Sequence, residues 1–378
     1  MNQHTLDRSW RVRPSVSVVV NEGEDGTAAV QFFRCNTRRS TTLRMRADLA
    51  ALVTSLDGSR ALRTAASASA SDPEQAQRLV EDLAERCIVE STDTAAWIEA
   101  SPDRRTLQYV QDWLPESDLR AGWDAIRSTL VAIVGCGGAG SWIARGVAGM
   151  GFRRLLLVDP DVVEASNLNR SLYGMPQAGA SKAGSLATAL RGEFQGVEVA
   201  AVRRTIGATG DVEAAWAEAG LDPSAARTVV VNCADQPNVD LTSAWVGRFC
   251  MKHRIRHHVA GGYNLHLSLI GLSVVPFESP CVQCVVQALD ERSPRVELGV
   301  VRLNRPKRKI GSVGTAVALS ASLSALEVMK LALHGDRIRP AMLGRRGEMD
   351  MITGKIEFRS FERHPRCLWC GPEATPMR

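Results

Sequence analysis

Residues 131–170 read VAIVGCGGAGSWIARGVAGMGFRRLLLVDPDVVEASNLNR. The apolar run Val131–Val134 ends in a glycine-rich turn, and a helix-like stretch follows to about Met150. A second apolar run, Leu155–Val158, ends in Asp159. The order of strand, glycine turn, helix, strand and acid predicts the beginning of a nucleotide-binding βαβ unit.

The glycine turn suits a phosphate because glycine lets the backbone N–H groups at a helix N-terminus come close to it. Asp159 lies 24 residues after Gly135 and is placed to accept hydrogen bonds from ribose hydroxyls. Two alternatives need no nucleotide, namely a tight strand–helix junction and an aspartate that only caps or closes a turn. A bare glycine fingerprint is also consistent with a dinucleotide site. The glycines of the turn are Gly135, Gly137, Gly138 and Gly140.

The next segment adds amide and cationic donors to this unit. Asn167 and Arg170 follow the second strand, and Lys182 comes 12 residues after Arg170. A nicotinamide site needs no such cluster, whereas a triphosphate that is being cleaved does. We therefore expect these three side chains to contact phosphates, although each alone would be an ordinary surface residue.

The sequence resembles the ThiF/MoeB family of adenylating domains, which also occurs in ubiquitin-activating enzymes. Four features match in order: GxGGxG at 135–140, DxDxVxxSNLxR at 159–170, Lys182, and Asp235 at the end of Asn232–Asp235. The resemblance spans about residues 105–371. It implies an α/β fold, with a Rossmann-like adenylating domain and a mostly parallel sheet, and it implies a homodimer.

The resemblance also implies ligands and roles for single residues. ATP would contact the four glycines, Asp159, Asp161, Asn167, Arg170, Lys182 and Asp235. Asp235 would bind Mg²⁺, and its alternative is to cap the helix predicted at 239–253. Arg170, Lys182 and Asp235 would be catalytic, because the attack of a carboxylate on the α-phosphorus of ATP joins two anions.

Two positions depart from the family pattern. The family carries an arginine that reaches the ATP of the other subunit, and here the corresponding position is Gln111. Any of three other arginines could replace it, and nothing in the sequence selects one. Ser171 replaces a glutamine of the family. The three arginines are Arg104, Arg105 and Arg120.

Two CxxC pairs, Cys281/Cys284 and Cys367/Cys370, predict a structural zinc site with four thiolates. A single CxxC pair could instead be redox-active, and four unligated thiols are the other alternative. The interval between Cys284 and Cys367 contains no cysteine. Family members that transfer the acyl group to an enzyme thiol carry that cysteine in this interval, so we expect the adenylate to react without an enzyme thioester.

The N-terminal residues predict a small α+β domain. Val16–Val20 and Thr27–Phe33 form a hairpin pattern, Ser40–Met45 a third strand, and a helix begins at Asp72-Pro73. This order resembles the winged-helix-like, PqqD-like modules that bind leader peptides by strand addition. The alternative is a domain that only supports a dimer or a lid. The predicted boundaries are a peptide-recognition domain at 1–91, a linker at 92–104 and the adenylating domain at 105–378.

Composition excludes several classes of protein. The net charge of +5 fits anionic nucleotides without requiring nucleic acid as a partner. No run of 18 apolar residues and no N-terminal signal core is present, so we expect a soluble cytoplasmic protein with no membrane partner. Nine cysteines without an export signal favour thiols or metal over disulfides. We interpret His257 and His258 as structural.

These patterns leave four functions to compare. The first is adenylation of a carboxylate on a ribosomally made precursor peptide, as the resemblance to MccB-type enzymes with a peptide clamp implies. The second is activation of the C-terminus of a ubiquitin-like or sulfur-carrier protein. A leader-binding scaffold with a decayed ATP site and a nicotinamide oxidoreductase are the others. We further expect the basic segment 287–310 to cover the substrate and residues 311–314 to line the active site.

Overall fold

The computed structural model describes residues 4–225, 227–264, 266–291 and 311–371. It divides into two units, residues 1–124 and 125–378. The helices and strands that begin in the first unit are α1 (His4–Asp7), β1 (Ser9–Val12), β2 (Val16–Glu22), β3 (Thr27–Arg34), β4 (Arg39–Arg46), α2 (Ala47–Thr54), β5 (Asp57–Ala61), α3 (Leu62–Ala68), α4 (Pro73–Glu85), β6 (Val89–Ser91), α5 (Thr92–Glu99), α6 (Arg104–Val110) and α7 (Glu116–Ser128).

The first unit contains the predicted hairpin and third strand as an antiparallel sheet in the order β2-β3-β4. Burial alternates along strand β3, and its buried residues Ala28, Val30 and Phe32 face a core that includes Leu52 and Leu83. The predicted cap is also present, since Asp72 accepts a hydrogen bond from Gln75 N at the start of α4. A second sheet, β5-β1-β6, was not predicted, because β1 and β5 are short strands of mixed polarity.

The segment that was predicted as a linker, residues 92–104, contains a helix. Residues 92–99 form helix α5, which buries Ala95 and Ile98. Ser91 caps the helix by accepting a hydrogen bond from Thr94 N. Because small residues and one isoleucine are enough to bury this short helix, its sequence has the low apolar content of a linker. The division of the chain falls instead at residue 124.

The second unit contains the nucleotide-binding pattern and the rest of the chain. Its helices and strands are β7 (Leu130–Val134), α8 (Gly138–Gly149), β8 (Arg154–Val158), α9 (Lys182–Glu193), β9 (Glu198–Val202), α10 (Thr209–Glu218), β10 (Thr228–Asn232), α11 (Val239–Lys252), β11 (Arg256–Val259), β12 (Tyr263–Asn264), β13 (Leu267–Val274), α12 (Val282–Glu291), α13 (Gly314–Ala332), β14 (Arg345–Asp350) and β15 (Ile356–Ser360). The predicted segment 287–310 lies mostly outside the described residues, which end at 291 and resume at 311.

These strands form one sheet in the order β15-β14-β13-β11-β10-β7-β8-β9, with β12 paired to β13. The strands from β11 to β9 are parallel, and those from β13 to β15 are antiparallel. All residues of β7 and β10 are buried, as expected for parallel strands that are covered on both faces. The predicted α/β fold with a Rossmann-like parallel sheet is therefore confirmed.

Helix α13 is the longest described helix, and it packs against α8 and β13. By length and composition alone it could cross a membrane, and it is the one described helix of which this is true. Within the structure, however, 61% of its apolar window is buried. A helix that is apolar because it is covered by protein on most of its surface passes the same test, so α13 fits the role of a core helix.

Candidate functional site

The predicted site residues lie where β7, β8 and β10 end. Strand β8 lies on one side of β7 and β10 on the other, so the order of strands reverses between β7 and β10. Cys233 N donates to Val134 O at 2.7 Å, and Gly135 N donates to Val158 O at 2.8 Å. These bonds join the loops that follow the three strands. In open α/β sheets ligands bind in the crevice at such a reversal, beyond the carboxyl ends of the strands.

The glycine turn is sterically constrained at two positions. Gly135 has a φ of +92°, and a Cβ there would lie 2.7 Å from Ala234 N. A Cβ on Gly140 would lie 1.9 Å from Gly135 O, which no side chain allows. Gly137 is the N-cap of α8, and no side chain caps that helix. The first N–H groups of α8 are therefore left for a ligand, and an anion is the ligand that they favour.

Asp159 is buried, with 4% of its surface exposed. Its Oδ2 accepts a hydrogen bond from Cys136 N at 2.6 Å, and its Oδ1 accepts one from Asp161 N at 2.8 Å. Burial raises the pKa of Asp159, while the two backbone donors and the charge of Lys182 lower it. The carboxylate thus holds the glycine turn in shape. Each oxygen keeps one lone pair, which is what a ribose hydroxyl would need.

Arg170 lies beside the glycine turn. A Cβ built on Gly138 would be 3.5 Å from Cγ of Arg170, and Trp142 Nε1 donates to Arg170 O at 3.1 Å. Among the residues that the structure describes, the guanidinium bonds only within its own loop, where Nη1 donates to Ser166 O at 2.7 Å and to Asn169 Oδ1 at 2.9 Å. This arrangement anchors the backbone of Arg170 on α8 and leaves the other guanidinium nitrogens for an anion.

Asn167 and Ser171 both shape the loop that carries Arg170. Asn167 Oδ1 accepts from Glu164 N at 3.1 Å and closes a short 3-10 helix at 165–167. Ser171 Oγ donates to Asn167 O at 2.7 Å and is used inside the loop. The amide nitrogen of Asn167 is the group that this arrangement leaves for a phosphate.

Lys182 is the first residue of α9, and Ser181 caps this helix by accepting from Gly184 N. The Nζ of Lys182 lies 2.8 Å from Asp161 Oδ2, and Lys182 N donates to Asp161 O at 3.0 Å. The lysine side chain is 11% exposed, whereas that of Asp161 is 59% exposed. Asp161 therefore holds the ammonium at the site end of β8.

Asp235 follows β10 and is exposed. Its side chain forms no hydrogen bond or ion pair with any residue that the structure describes. The alternative role as a helix cap is excluded, because Asn238 caps α11 by accepting from Leu241 N at 2.9 Å. A carboxylate with both oxygens available, close to a phosphate-binding turn, has the chemistry of a Mg²⁺ ligand.

Several groups that shape the site have no sequence signal. The hydroxyl of buried Tyr173 donates to Cys136 O at 2.6 Å and to Lys182 O at 3.3 Å, so it joins the glycine turn to α9. Asn169 Nδ2 donates to Ser312 O at 3.0 Å, and a Cβ on Gly314 would lie 2.7 Å from Asn169 O. The start of α13 is thus next to the Arg170 loop.

The two thiols nearest the site are not arranged as nucleophiles. Cys136 is buried in the glycine turn, and Cys233 lies at the end of β10. Burial raises the pKa of each thiol, and the charges of Asp159 and Asp235 raise the pKa of Cys136 and of Cys233 respectively. Both thiols are therefore protonated at neutral pH.

The four cysteines of the CxxC pairs meet in one buried cluster. All four Sγ atoms lie within 4.8 Å of one another. The Sγ–Sγ distances are 3.8 Å for Cys281–Cys284, 3.6 Å for Cys281–Cys367 and 3.4 Å for Cys284–Cys370. A tetrahedron with metal–sulfur bonds of about 2.3 Å has edges of about 3.8 Å, so the cluster could hold a zinc ion. It would join α12 to the segment after β15.

The two histidines in β11 are in the core, as their structural interpretation requires. His257 and His258 are 1% and 0% exposed, and burial lowers the pKa of each to about 4. His258 Nδ1 lies 3.1 Å from Ser273 Oγ, which donates to Glu327 Oε2 at 2.9 Å. Glu327 in turn accepts from Lys330 and from Ala341 N and Met342 N. This network fastens α13 to the strands that it covers.

The position where the family has a trans-acting arginine is buried in the first unit. Gln111 is 6% exposed, and its carbonyl oxygen accepts a hydrogen bond from Arg13. Its side chain is therefore not displayed on the surface. Three other arginines could take the place of the family arginine. Arg120 stacks on Trp97, with 4.3 Å between its Cζ and the ring centroid, while Arg104 and Arg105 are exposed.

Residues 114–369 match the sequence model of the ThiF family. The adenylyltransferase and sulfurtransferase MOCS3 of Mus musculus is 32% identical over 281 residues, which cover 70% of this chain and 52% of the mouse protein. The ubiquitin-like modifier-activating enzyme 5 of Gallus gallus is 27% identical over 224 residues, which cover 56% of this chain and 52% of that protein. The chain therefore spans about half the length of the curated relatives that it matches.

Solved structures of E. coli MccB share the fold. The structure with ATP has a TM-score of 0.70 and 19% identity, and it covers 96% of this chain and 99% of MccB. Another holds N-formylated MccA, with a TM-score of 0.69 and 18% identity over the same shares, and it is described as the microcin C7 biosynthetic enzyme. The likeness spans both units and, at this identity, shows the fold alone.

Proposed function

The chain belongs to the ThiF family, and from this premise we propose that it is an ATP-dependent adenylyltransferase that activates a carboxylate of a precursor peptide. One observation carries the proposal. At a single edge of the sheet, an uncapped helix N-terminus adjoins the cations Arg170 and Lys182 and an exposed carboxylate, Asp235. This is the combination that binds a triphosphate and stabilises a departing pyrophosphate.

The reaction forms a bond between a carboxylate oxygen and the α-phosphorus of ATP. The bond from that phosphorus to the β-phosphate bridging oxygen breaks, and pyrophosphate leaves with the electron pair. Since both reactants are anions, the site has to supply positive charge and alignment. Arg170 and Lys182 would supply this positive charge. Asp235 would hold Mg²⁺, which when bound neutralises charge on the phosphate oxygens.

The remaining residues bind and orient the nucleotide. The N–H groups at the start of α8 would receive the phosphates, with Gly135 and Gly140 allowing the close approach. Asp159 would accept from the ribose hydroxyls while it holds the turn. Asp161 would position Lys182 rather than contact ATP directly, because its carboxylate is already paired with the ammonium. Asn167 would donate its amide N–H to a phosphate oxygen.

A precursor peptide is the substrate that the two-unit fold supports best. The likeness to MccB, which was solved with N-formylated MccA, extends over 96% of the chain and includes the first unit. That unit carries the three-stranded sheet β2-β3-β4, in which β2 and β4 are each paired on one side only among the described residues. An extended leader peptide would add a strand to one of these edges through backbone hydrogen bonds.

Activation of a ubiquitin-like or sulfur-carrier protein is the second candidate. The observation in its favour is the 32% identity to mouse MOCS3, which exceeds the 19% identity to the MccB structure with ATP. The match to MOCS3 covers 70% of this chain, whereas the likeness to MccB covers 96%. For this reason we propose the precursor peptide, rather than a carrier protein, as the first candidate substrate.

ATP–pyrophosphate exchange tests the proposal. The full chain would be assayed with ATP and Mg²⁺, and with either candidate precursor peptides or a sulfur-carrier protein that ends in Gly-Gly. We expect exchange that depends on the peptide. Asp235→Ala should abolish it, whereas Asp240→Ala, which removes an exposed carboxylate from the first turn of α11, should not. Exchange with the carrier alone would establish the second candidate, and exchange with neither would refute adenylation.

A further inference from the structure

A buried asparagine ends the central strand β10. Asn232 is 2% exposed, and the other residues of this strand are buried as well. An amide inside a sheet that is covered on both faces destabilises the fold unless its donors and acceptors are hydrogen-bonded. Asn232 comes three residues before Asp235, the carboxylate that would hold Mg²⁺. This position makes the hydrogen bonds of Asn232 relevant to the loop that carries Asp235.

The oxygen and both N–H groups of the Asn232 side chain are hydrogen-bonded. Its Oδ1 accepts from Ala234 N at 3.2 Å. Its Nδ2 donates to Thr242 Oγ1 at 3.2 Å and to Ser243 Oγ at 3.1 Å. Both hydroxyls belong to buried residues of α11. Because only the oxygen of an amide side chain accepts and only its nitrogen donates, these bonds fix the orientation of the amide.

Thr242 completes a closed ring of hydrogen bonds. Its hydroxyl donates to Ala234 O at 2.6 Å, which is the shortest of its contacts with carbonyl oxygens. The same hydroxyl accepts from Asn232, so Asn232, Ala234 and Thr242 are each bonded to the other two. Both the N–H and the C=O of Ala234 are therefore held by side chains. The ring fastens the loop after β10 to helix α11.

Ala234 is also the residue that contacts the glycine turn. A Cβ on Gly135 would lie 2.7 Å from Ala234 N and 2.9 Å from Ala234 Cα. Since Gly135 has no side chain, the peptide of Ala234 packs directly on the backbone of the turn. The preceding residue is tied to the same region, because Cys233 N donates to Val134 O at 2.7 Å. The distance between the phosphate-binding turn and the Asp235 loop thus depends on how Ala234 is held.

The Asp235 side chain itself has no comparable support. It is exposed, and among the described residues its carboxylate forms no hydrogen bond or ion pair. After Asp235 the chain enters a regular element again only at Val239, the first residue of α11. Groups that surround a metal ligand orient it before the ion binds. The held peptide of Ala234, directly before Asp235, is therefore where this fold can orient the carboxylate.

We propose that Asn232 and Thr242 are positioning residues for the divalent cation that Asp235 would hold. They fix the peptide of Ala234 against the glycine turn, and so they place the Asp235 carboxylate relative to phosphates bound at that turn. Both residues act through Ala234 and need no contact with the cation or the nucleotide. The inference rests on the proposed function, because it requires a nucleotide and a cation at this edge of the sheet.

A merely structural role of the ring makes a different prediction from a positioning role. The structural role would change the stability of the fold and leave the affinity for the cation unaffected. Loss of a group that orients a metal ligand usually lowers metal affinity by about 10–100-fold. Thr242 separates the two roles, because valine has the shape of threonine without the hydroxyl. Thr242→Val removes the bond to Ala234 O, whereas Thr242→Ser retains the hydroxyl.

Binding of Mn²⁺ to the full chain in the presence of α,β-methylene-ATP tests the proposal. Electron paramagnetic resonance measures the free Mn²⁺, and the analogue cannot release pyrophosphate. We expect Thr242→Val and Asn232→Ala each to weaken Mn²⁺ binding by about 10–100-fold. Thr242→Ser should bind within about threefold of the parent protein. The matched control is Ser324→Ala, which removes a buried hydroxyl of α13 that donates to Ser320 O and should change nothing.

Asp235→Ala distinguishes the failure of this inference from the failure of the proposed function. If Asp235→Ala weakens Mn²⁺ binding and Thr242→Val does not, the proposed function stands and the positioning role is overturned. Mn²⁺ binding that is unaffected by Asp235→Ala refutes both, as does a parent protein that binds no Mn²⁺. A Thr242→Ser variant as weak as Thr242→Val also overturns the positioning role. If circular dichroism shows that Thr242→Val or Asn232→Ala does not fold, the other variant still reports on the ring.

Discussion

Lys182 and Asp161 form an ion pair, with 2.8 Å between Nζ and Oδ2, which joins the start of α9 to the loop after β8. The two residues are joined a second time through the backbone, since Lys182 N donates to Asp161 O. A lysine that is 11% exposed loses much of its side-chain freedom in this arrangement. The ammonium is thus held in position before a triphosphate arrives, which lowers the entropic cost of binding it.

Removal of the lysine charge should affect catalysis far more than folding. We expect Lys182→Met to lower the rate of ATP–pyrophosphate exchange by about 10²–10³, the usual effect of losing one donor to transition-state charge. Asp161→Asn leaves the Lys182 ammonium in place and should lower the rate of exchange by a smaller factor. The control is Lys252→Met, which removes a surface ion pair with Glu213. Equal rates for Lys182→Met and the control would contradict the role of Lys182.

The glycine turn makes a prediction about stability. In Gly140→Ala the new Cβ would lie 1.9 Å from Gly135 O. A clash with backbone cannot be relieved by a rotamer change, so we expect a loss of about 3 kcal/mol in the free energy of unfolding. Gly192→Ala in α9 meets open space and should be neutral or stabilising by up to about 1 kcal/mol. Urea denaturation measures both, and a Gly140→Ala variant as stable as the parent would be incompatible with this turn.

The cysteine cluster predicts bound metal. We expect about one zinc ion per chain by elemental analysis, since four thiolates complete a tetrahedral structural site. Cys284→Ser should reduce the zinc content and lower the melting temperature, and a strong chelator should do the same to the parent protein. Cys35→Ser changes an exposed cysteine of the first unit and serves as the control. A fully stable, metal-free parent protein would disprove the site.

The buried histidines predict an acid-sensitive fold. Burial lowers the pKa of His257 and of His258 to about 4, against an ordinary value of 6.5. Between these values the unfolded chain binds protons that the native chain does not. The contribution of the two neutral histidines to the free energy of unfolding is therefore complete above pH 6.5, and it is lost as the pH falls toward 4. The limiting slope is about 1.4 kcal/mol per pH unit for each histidine.

Urea denaturation at several pH values between 4 and 7 would measure this slope. His257→Phe should reduce it by about half, because one of the two titrating groups is gone. His266→Gln changes an exposed histidine and should leave the slope unchanged. Glu327, whose pKa is lowered by Lys330, by backbone donors and by His258 in spite of its burial, adds acid sensitivity only below its ordinary range near pH 4.5. A stability that is flat from pH 7 to pH 5 would exclude the histidine effect.

Elements with local signals are predictable from the sequence. Val131–Val134 and Leu155–Val158 are continuous apolar runs because parallel strands are buried on both faces, and this pattern is visible without a structure. Asp72-Pro73 identified the start of α4, because a cap and a fixed φ act on neighbouring residues. The two CxxC pairs identified the thiol cluster, since two ligands of a tetrahedron fit that spacing.

The tertiary structure decided what depends on distant residues. Tyr173 joins Cys136 to Lys182, and Glu327 joins α13 to residues 341–342. No spacing of residues in the sequence predicts either contact. Helix α5 was not predicted, because the burial of Ala95 and Ile98 depends on what packs over them. A sequence records the preferences of neighbouring residues, whereas partners that are far apart in the chain meet only through the packing of the whole fold.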